Sequence, residues 1–497
     1  MASAPGRPAM KGRDRWQWAV VAVVLIGATM SALDVTIVNI ALPDIKRQFA
    51  TSLALVEWVA IAYMLVLAVA LPIVGRLADI FGRSLLYNVG FGIFVVGSAL
   101  CGIAPDIYTL VLSRCLQAIG AALLQANSVA LITQVVRRRQ LGRALGLQAA
   151  FQGMAMAFGP FVGAMLITIA DWRLIFYVNV PIGIAGAIAA RYILPRHHRR
   201  DAHLKLDYLG AGLLAVGLMG CVLAVNSAGA AGWSSPAILA ELVLGIVCLA
   251  AFVLTQLRVK YPTVNLALLR RYTIAAGNVT ALLAYYVLFA ALFLLPFYFE
   301  QVLHYSTARA GTMLTAIPLA MAIIAPFIGR ACDRFGSRKF VVSGSLLLAL
   351  GSLLLVFAPS RSESVLLILD MIILGGGLGV FTPANNRATM AATPHDQLGV
   401  TGGLLNMMRS LGVILGVDVS GMVFVAVSGT HAEAGVKTHG GGLGAGLVSR
   451  AAFMDGLHVV MVTLVAIALL SAVLSLLRKD DLHAKPDPVH AASLGVE

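Results

Sequence analysis

Apolar residues run along this chain in blocks of about twenty, separated by short polar stretches, from one end to the other. A mostly apolar stretch of about 20 residues, rising ~1.5 Å per residue as a helix, crosses the hydrocarbon of a bilayer; a helix in water carries a polar face instead. The blocks predict spans at 18–42, 53–74, 85–104, 107–132, 142–169, 173–194, 208–228, 237–257, 273–299, 308–329, 340–358, 364–386, 399–428 and 453–477. Fourteen spans return both ends of the chain to one side of the membrane. Of the 36 Lys and Arg, 27 fall on the side that holds residue 1 and 7 on the other, an asymmetry that assigns the termini to the cytoplasm.

Composition strengthens this reading. The 497 residues are 60% hydrophobic and 12% charged, against roughly a quarter charged in soluble domains, so a water-soluble fold has too little polar surface to cover its apolar content. The net charge of +14 would suggest nucleic acid in a soluble protein. Here the basic residues sit between apolar blocks, where they orient the spans, and no nucleic-acid partner is expected. The apolar run from Trp18 continues past Asp34 to Leu42, too long for the core of a secretory signal, and is expected to be a retained first span. The cysteines stand singly, Cys101, Cys115, Cys221 and Cys248 in apolar runs and Cys332 in a connector. They lack metal-ligand spacing, so no metal is expected.

An internal echo sets the organisation. Gly75-Arg-Leu-Ala-Asp79-Ile-Phe-Gly82-Arg83, after the second span, returns after the tenth as Gly329-Arg-Ala-Cys-Asp333-Arg-Phe-Gly336-Ser-Arg338. Two six-helix halves would separate the copies by six spans; a separation of eight implies two helices inserted between the halves. The expected architecture is an all-α polytopic membrane protein. It has a cytoplasmic tail at 1–17, a six-helix bundle at 18–194, and basic loops with two extra central helices at 195–272. A second six-helix bundle follows at 273–477, then a cytoplasmic tail at 478–497. The basic run Arg196-His-His-Arg-Arg200 reads as an anchor to lipid headgroups and Gly440–Gly446 as a tether.

Chemistry rests on charges inside the oily blocks. Asp34 lies about eight residues, or ~12 Å, from the outer end of the first expected span, and Arg114 lies about seven residues into the fourth, at a similar depth. A carboxylate at such depth costs ~2.5–3.5 kcal/mol on insertion scales and is kept for a reason, of which proton carriage is one and a fixed ion pair another. Asp418, near the middle of the thirteenth span, is a second candidate for a proton or cation; Asp370 in the twelfth is a third. Arg409 is excluded as the partner of Asp418, because nine residues is two and a half turns and sets them on opposite faces. Gly146, Gly153, Gly159, Pro160 and Gly163 strip the fifth span of bulk, as a hinge or a seal requires. Asp79 and Asp333 are expected to latch helices, aided by Gly75, Gly82, Arg83 and Gly336. Trp58, Tyr63, Tyr285, Tyr286, Phe293 and Phe297 are candidates to line a cavity or to pack in core.

With those residues in place, nearly the full length resembles the major facilitator superfamily. Within it the chain is similar to the fourteen-helix drug:proton antiporters of the EmrB/QacA type. Asp34–Pro43 resembles that group's first-span signature, Gly75–Arg83 the loop motif, Arg114–Gly120 the basic membrane motif and Gly146–Gly163 the antiporter motif. Asp171-Trp-Arg-Leu-Ile-Phe-Tyr-Val-Asn-Val-Pro-Ile-Gly183 is also similar to that branch. Ile80, Ser84, Ala118, Ala155 and Ala164 depart from the usual residues. The resemblance implies that Arg114 assists proton transfer, that the antiporter motif favours export, and that Asp34 and Asp418 are acidic sites for protons or cationic drugs. It implies proton-coupled efflux of hydrophobic or cationic small molecules by alternating access across a bacterial inner membrane. The proton gradient would supply the energy with no cofactor, and a periplasmic adaptor stands among the partners it admits. The alternative is a same-fold carrier of an endogenous metabolite or an organic anion. No metalloprotease or phosphate-loop motif points to an enzyme.

Overall fold

The structure is a computed structural model describing residues 10–51, 53–195, 207–231, 235–259, 262, 264, 266–357, 364–394, 397–430 and 450–478. The 196–200 basic run, the 440–446 tether and the outermost parts of both tails lie outside these residues.

Among the described residues the long elements are all helices. The first six are α1 Met10–Ile37, α2 Leu53–Phe81, α3 Arg83–Ile103, α4 Ile107–Val135, α5 Leu141–Ile169 and α6 Asn179–Ile193. A pair follows, α7 Tyr208–Ala231 and α8 Pro236–Arg258. The rest are α9 Tyr272–Phe297, α10 Ala316–Phe335, α11 Arg338–Val356, α12 Ser364–Ala391, α13 Leu398–Thr430 and α14 Arg450–Leu476. Thirteen of the described helical stretches are long and apolar enough to cross a membrane, and α5 adds a fourteenth as a bent pair, turning by 46° between Leu141–Met156 and Phe161–Ile169. The bend brackets Pro160, which cannot donate the backbone bond a straight helix needs there.

Three boundaries differ from the sequence reading. The first span stops at Ile37, passes through a 3₁₀ turn at Val38–Ala41 and restarts as the short helix Leu42–Phe49 with Pro43 in its first turn; a proline is well placed to begin a helix and poorly placed to continue one. Asp34 is therefore three residues from the end of α1 rather than eight. Secondly, Gly75–Phe81 is not a loop but the last turns of α2, and 330–335 likewise ends α10, so Cys332 lies buried in a helix and not in a connector. Each helix runs on until a residue with positive φ, Gly82 (97°) or Gly336 (82°), lets the chain reverse. Thirdly, α10 is preceded by a separate helix, Thr307–Leu314.

Packing follows the echo. One apolar core is built mainly from α1 to α6 and extends to α7, α8 and the first turns of α13, and another is built mainly from α9 to α14 and takes in Ala149 and Ala150 of α5. The two sets meet along two matching seams, α2 against α13 and α5 against α10. Backbones touch there: a Cβ on Gly75 would lie 2.5 Å from the Gly399 carbonyl oxygen, and one on Gly329 would collide with the Gly142 carbonyl. The α7–α8 hairpin closes on itself through Gly217, Gly220 and Gly245, and α7 rests on both α2 and α13. Its outer helix exposes Val243, Ile246, Leu254 and Leu257, side chains suited to lipid.

Candidate functional site

Asp106 opens α4 as its N-cap, accepting from the Thr109 backbone N–H at 2.9 Å and from Thr109 Oγ1 at 2.7 Å; these bonds hold its exposed carboxyl below the usual range. Two turns further on, Arg114 meets Asp34. Nη1 of Arg114 donates to Asp34 Oδ2 at 2.5 Å and to Gln117 Oε1 at 2.6 Å, while its Nε donates to the Val59 carbonyl at 3.1 Å. The other carboxylate oxygen, Oδ1, accepts from Gln117 Nε2 at 2.9 Å and Asn179 Nδ2 at 3.2 Å, and Gln117 Nε2 also donates to Ser98 Oγ at 2.6 Å. The guanidinium lies 4.0 Å from the centroid of the Tyr63 ring. Helices α1, α2, α3, α4 and α6 all contribute a group.

Burial here is complete: Asp34 is 0% and Arg114 1% exposed. Two charges withdrawn from water are tolerated only with close pairing and further hydrogen bonds, and both are present. In this state neither group reaches solvent. A proton on Asp34 removes the negative charge that Arg114, Gln117 and Asn179 converge on, and α1 is then held to α4 and α6 by weaker neutral bonds.

Asp79 and Asp333 reach across the two seams. Asp79, at the end of α2, accepts from the backbone N–H of Gly399 (3.0 Å) and Val400 (2.9 Å) at the start of α13, and from Arg83 Nη2 at 2.8 Å. Asp333, at the end of α10, accepts from the N–H of Gly142 (2.8 Å) and Arg143 (3.0 Å) at the start of α5, and from Arg387 Nε at 3.2 Å. Each carboxylate thus meets unsatisfied donors and the positive end of a helix belonging to the opposite half. Arg83 is steadied by Gln134 at 3.0 Å and Arg387 by Ser337 at 3.1 Å. Together the two carboxylates join the halves at the end of the bundle that carries Gly82 and Gly336.

At the other end, Gly159 and Gly163 face Thr36, Ile37 and Ile40 where α1 breaks, so the side chains of α1 pack directly on the α5 backbone. Trp172, buried, donates to Gln48, and Arg173 Nη1 donates to the same Gln48 oxygen at 2.9 Å, tying the Asp171–Gly183 segment to the short helix Leu42–Phe49. Asp370 is buried in α12, six residues from its start, and is not part of the Asp34 cluster. Asp418 is partly buried in α13, with Oδ2 enclosed and without a hydrogen-bond partner. One turn on, Met422 packs against Ala224 and Ile238 of the α7–α8 hairpin.

Sequence reasoning missed Ser98, Gln134 and Arg387, and it missed which N–H groups the latch carboxylates serve. One signal was available: α5 starts at Gln140-Leu141 without a side-chain cap, so its first N–H groups require an acceptor from elsewhere.

The profile of the Major Facilitator Superfamily matches residues 24–417 and 279–494. The chain is 32% identical over 403 residues to the riboflavin transporter RibZ of Clostridioides difficile (strain 630), covering 80% of this chain and 86% of that protein. It is 30% identical over 414 residues to the multidrug resistance protein Stp of Mycobacterium tuberculosis (strain CDC 1551 / Oshkosh), covering 83% and 77%. In fold it is similar to the human organic anion transporter MFSD10, with a TM-score of 0.66 at 15% identity over 92% of this chain and 99% of that one. A match over most of its length, carried by helices that pair across two equivalent seams, makes this chain a member of the Major Facilitator Superfamily of membrane transporters.

Proposed function

We propose that the protein is a proton-coupled exporter of hydrophobic or cationic small molecules, working by alternating access in a bacterial cytoplasmic membrane with its basic end in the cytoplasm. The observation that carries this reading is the buried Asp34–Arg114 pair with Gln117 and Asn179 on the same carboxylate. A static fold gains little from an ion pair it must desolvate, whereas a carrier needs a carboxylate whose partners change strength when it takes up a proton. Loading Asp34 from the outer side relaxes its hold on α4 and α6. The latches at Asp79 and Asp333 then part, a path opens between the halves to the cytoplasm, and substrate enters as the proton leaves. Relatives named for drug resistance agree with the outward direction. Asp418 is the second acidic site in this scheme.

The test is substrate-driven proton movement in proteoliposomes carrying the wild type, Asp34→Asn or Asp418→Asn. Loss of coupling in Asp34→Asn is expected; undiminished proton-coupled flux in both variants removes these acids from the mechanism.

A further inference from the structure

Three buried arginines answer a carboxylate: Arg114 with Asp34, Arg83 with Asp79 and Arg387 with Asp333. Arg409 does not. It sits in α13, eleven residues from the start at Leu398 and thus ~16 Å into the bundle, and is 6% exposed. Among the described residues its neighbours are neutral. Nη2 donates to Asn386 Oδ1 of α12, Nη1 reaches Asn406 Oδ1 at 3.4 Å, and the guanidinium stands 5.5 Å from the Tyr285 ring of α9. A guanidinium carries five N–H donors in a planar fork; two are directed at Asn386 and Asn406, and Nε, enclosed in this state, is left without an acceptor.

Position gives the Nε edge a purpose. Asn406, one turn before Arg409, donates to the Gln125 carbonyl of α4 at 3.0 Å, so this part of α13 lies against the opposite half. In the proposed cycle this contact opens when the latches release. Above Arg409 along α9, Tyr285 and Phe289 stack with centroids 6.2 Å apart at 10°, and Phe293 continues the row one turn later. All three are only partly buried, while Ala284, Val287, Leu288 and Ala291 between them are buried. The row follows the α9–α13 seam: a Cβ on Gly412 would lie 3.1 Å from Tyr285 Cβ, and one on Gly421 3.2 Å from the Phe293 ring.

We infer that Arg409 is the seat for an anionic group, a carboxylate, sulfonate or phosphate, on a substrate whose apolar body lies along Tyr285, Phe289 and Phe293. The inference rests on the export reading for the route alone, and for the passenger it replaces the cation named there with an anion that carries an apolar body. A buried cation held only by amides and a ring is poorly compensated. An oxyanion that docks on the Nε edge supplies the missing charge and two parallel hydrogen bonds, and an aromatic row beside it accepts a flat ring. Asp418, half a turn round α13 from Arg409, does not compete for that edge.

Equilibrium dialysis of the full chain in phosphatidylcholine nanodiscs, corrected with empty discs, tests this with three probes of one skeleton: naphthalene-2-sulfonate, naphthalene-2-methanol and 2-naphthylmethylammonium. The wild type is expected to bind the sulfonate at least about tenfold more tightly than the alcohol, the factor that one charge-assisted hydrogen bond supplies, and the ammonium more weakly than either. Arg409→Gln brings sulfonate and alcohol within about twofold of one another, and Arg409→Lys keeps part of the preference. Equal binding of sulfonate and alcohol by the wild type overturns the proposal without any variant, and so does a folded Arg409→Gln chain that keeps the sulfonate preference. The export reading is read separately, in liposomes with a lumenal pH dye. A sulfonate preference in dialysis with no probe-driven proton movement defeats export and leaves the anion seat standing; proton movement by ethidium alone, with no sulfonate preference, does the reverse.

Discussion

Changing Asp79 to Asn tests whether the two seams open as one. The side chain keeps its shape and one oxygen, but loses its charge at the α13 N-terminus and its pairing with Arg83 at 2.8 Å. Hydrogen bonds to a charged group contribute ~1.5–3 kcal/mol, and with ~2 kcal/mol lost from the closed state alone, the open population rises about 30-fold. The informative readout is at the other latch. Amide hydrogen exchange at Gly142 and Arg143, whose N–H groups are held by Asp333 at 2.8 and 3.0 Å, reports opening of the α5–α10 seam, which the substitution does not touch. If the halves move as rigid bodies, exchange there accelerates by the same factor of about 30 in Asp79→Asn, and Asp333→Asn has the reciprocal effect at Gly399 and Val400. The double variant is expected to approach ~10³-fold, since the sites sit in separate interfaces. Acceleration confined to the peptide facing the substituted residue, with the distant one unchanged, refutes the coupled opening and reduces each aspartate to a local helix cap.

Other outcomes follow from the same geometry. Arg114→Lys retains the charge but cannot bridge Asp34, Gln117 and the Val59 carbonyl at once; proton-coupled flux in proteoliposomes is expected to fall far below wild type, with the chain still monodisperse on size exclusion. Gly82→Ala places a side chain at φ 97°, ψ 128°, a region essentially reserved for glycine, and should cost ~1–3 kcal/mol, seen as a lower Tm in detergent. Gly329→Val drives a branched side chain into the Gly142 carbonyl; the latches cannot close, so the Gly142–Arg143 amides should lose protection and turnover should stop.

The spans were legible because hydrocarbon thickness sets their length and apolar composition marks them, and the α7–α8 pair was legible from the spacing of two similar stretches, Gly75–Arg83 and Gly329–Arg338. The end of α1 was not: Val38–Ala41 is interrupted only by Asn39 and continues the apolar run, and Pro43 is the clearest hint of the restart. Asp34 and Arg114 could each be singled out by depth, but their separation of 80 residues along the chain leaves pairing to the tertiary fold. The latches had a readable half, the carboxylates, and an unreadable half, since the partners are backbone N–H groups of Gly399, Val400, Gly142 and Arg143 and carry no side-chain signature. Arg409 was visible as a basic residue inside an apolar run. What singles it out is the amide company of Asn386, which belongs to another helix.

The α7–α8 hairpin has a mechanical consequence. Because α7 leans on α2 and α13 together, it straddles the joint that the Asp79 latch fastens, while the α5–α10 joint has no such cover among the described residues. A flap resting on both leaves of a hinge must slip along one of them each time the hinge swings. In the proposed cycle its glycine-lined inner contact would keep the flap stiff and its oily outer side would float in the acyl chains at little cost, so that it would act as a weatherstrip, keeping lipid tails out of one joint throughout the swing.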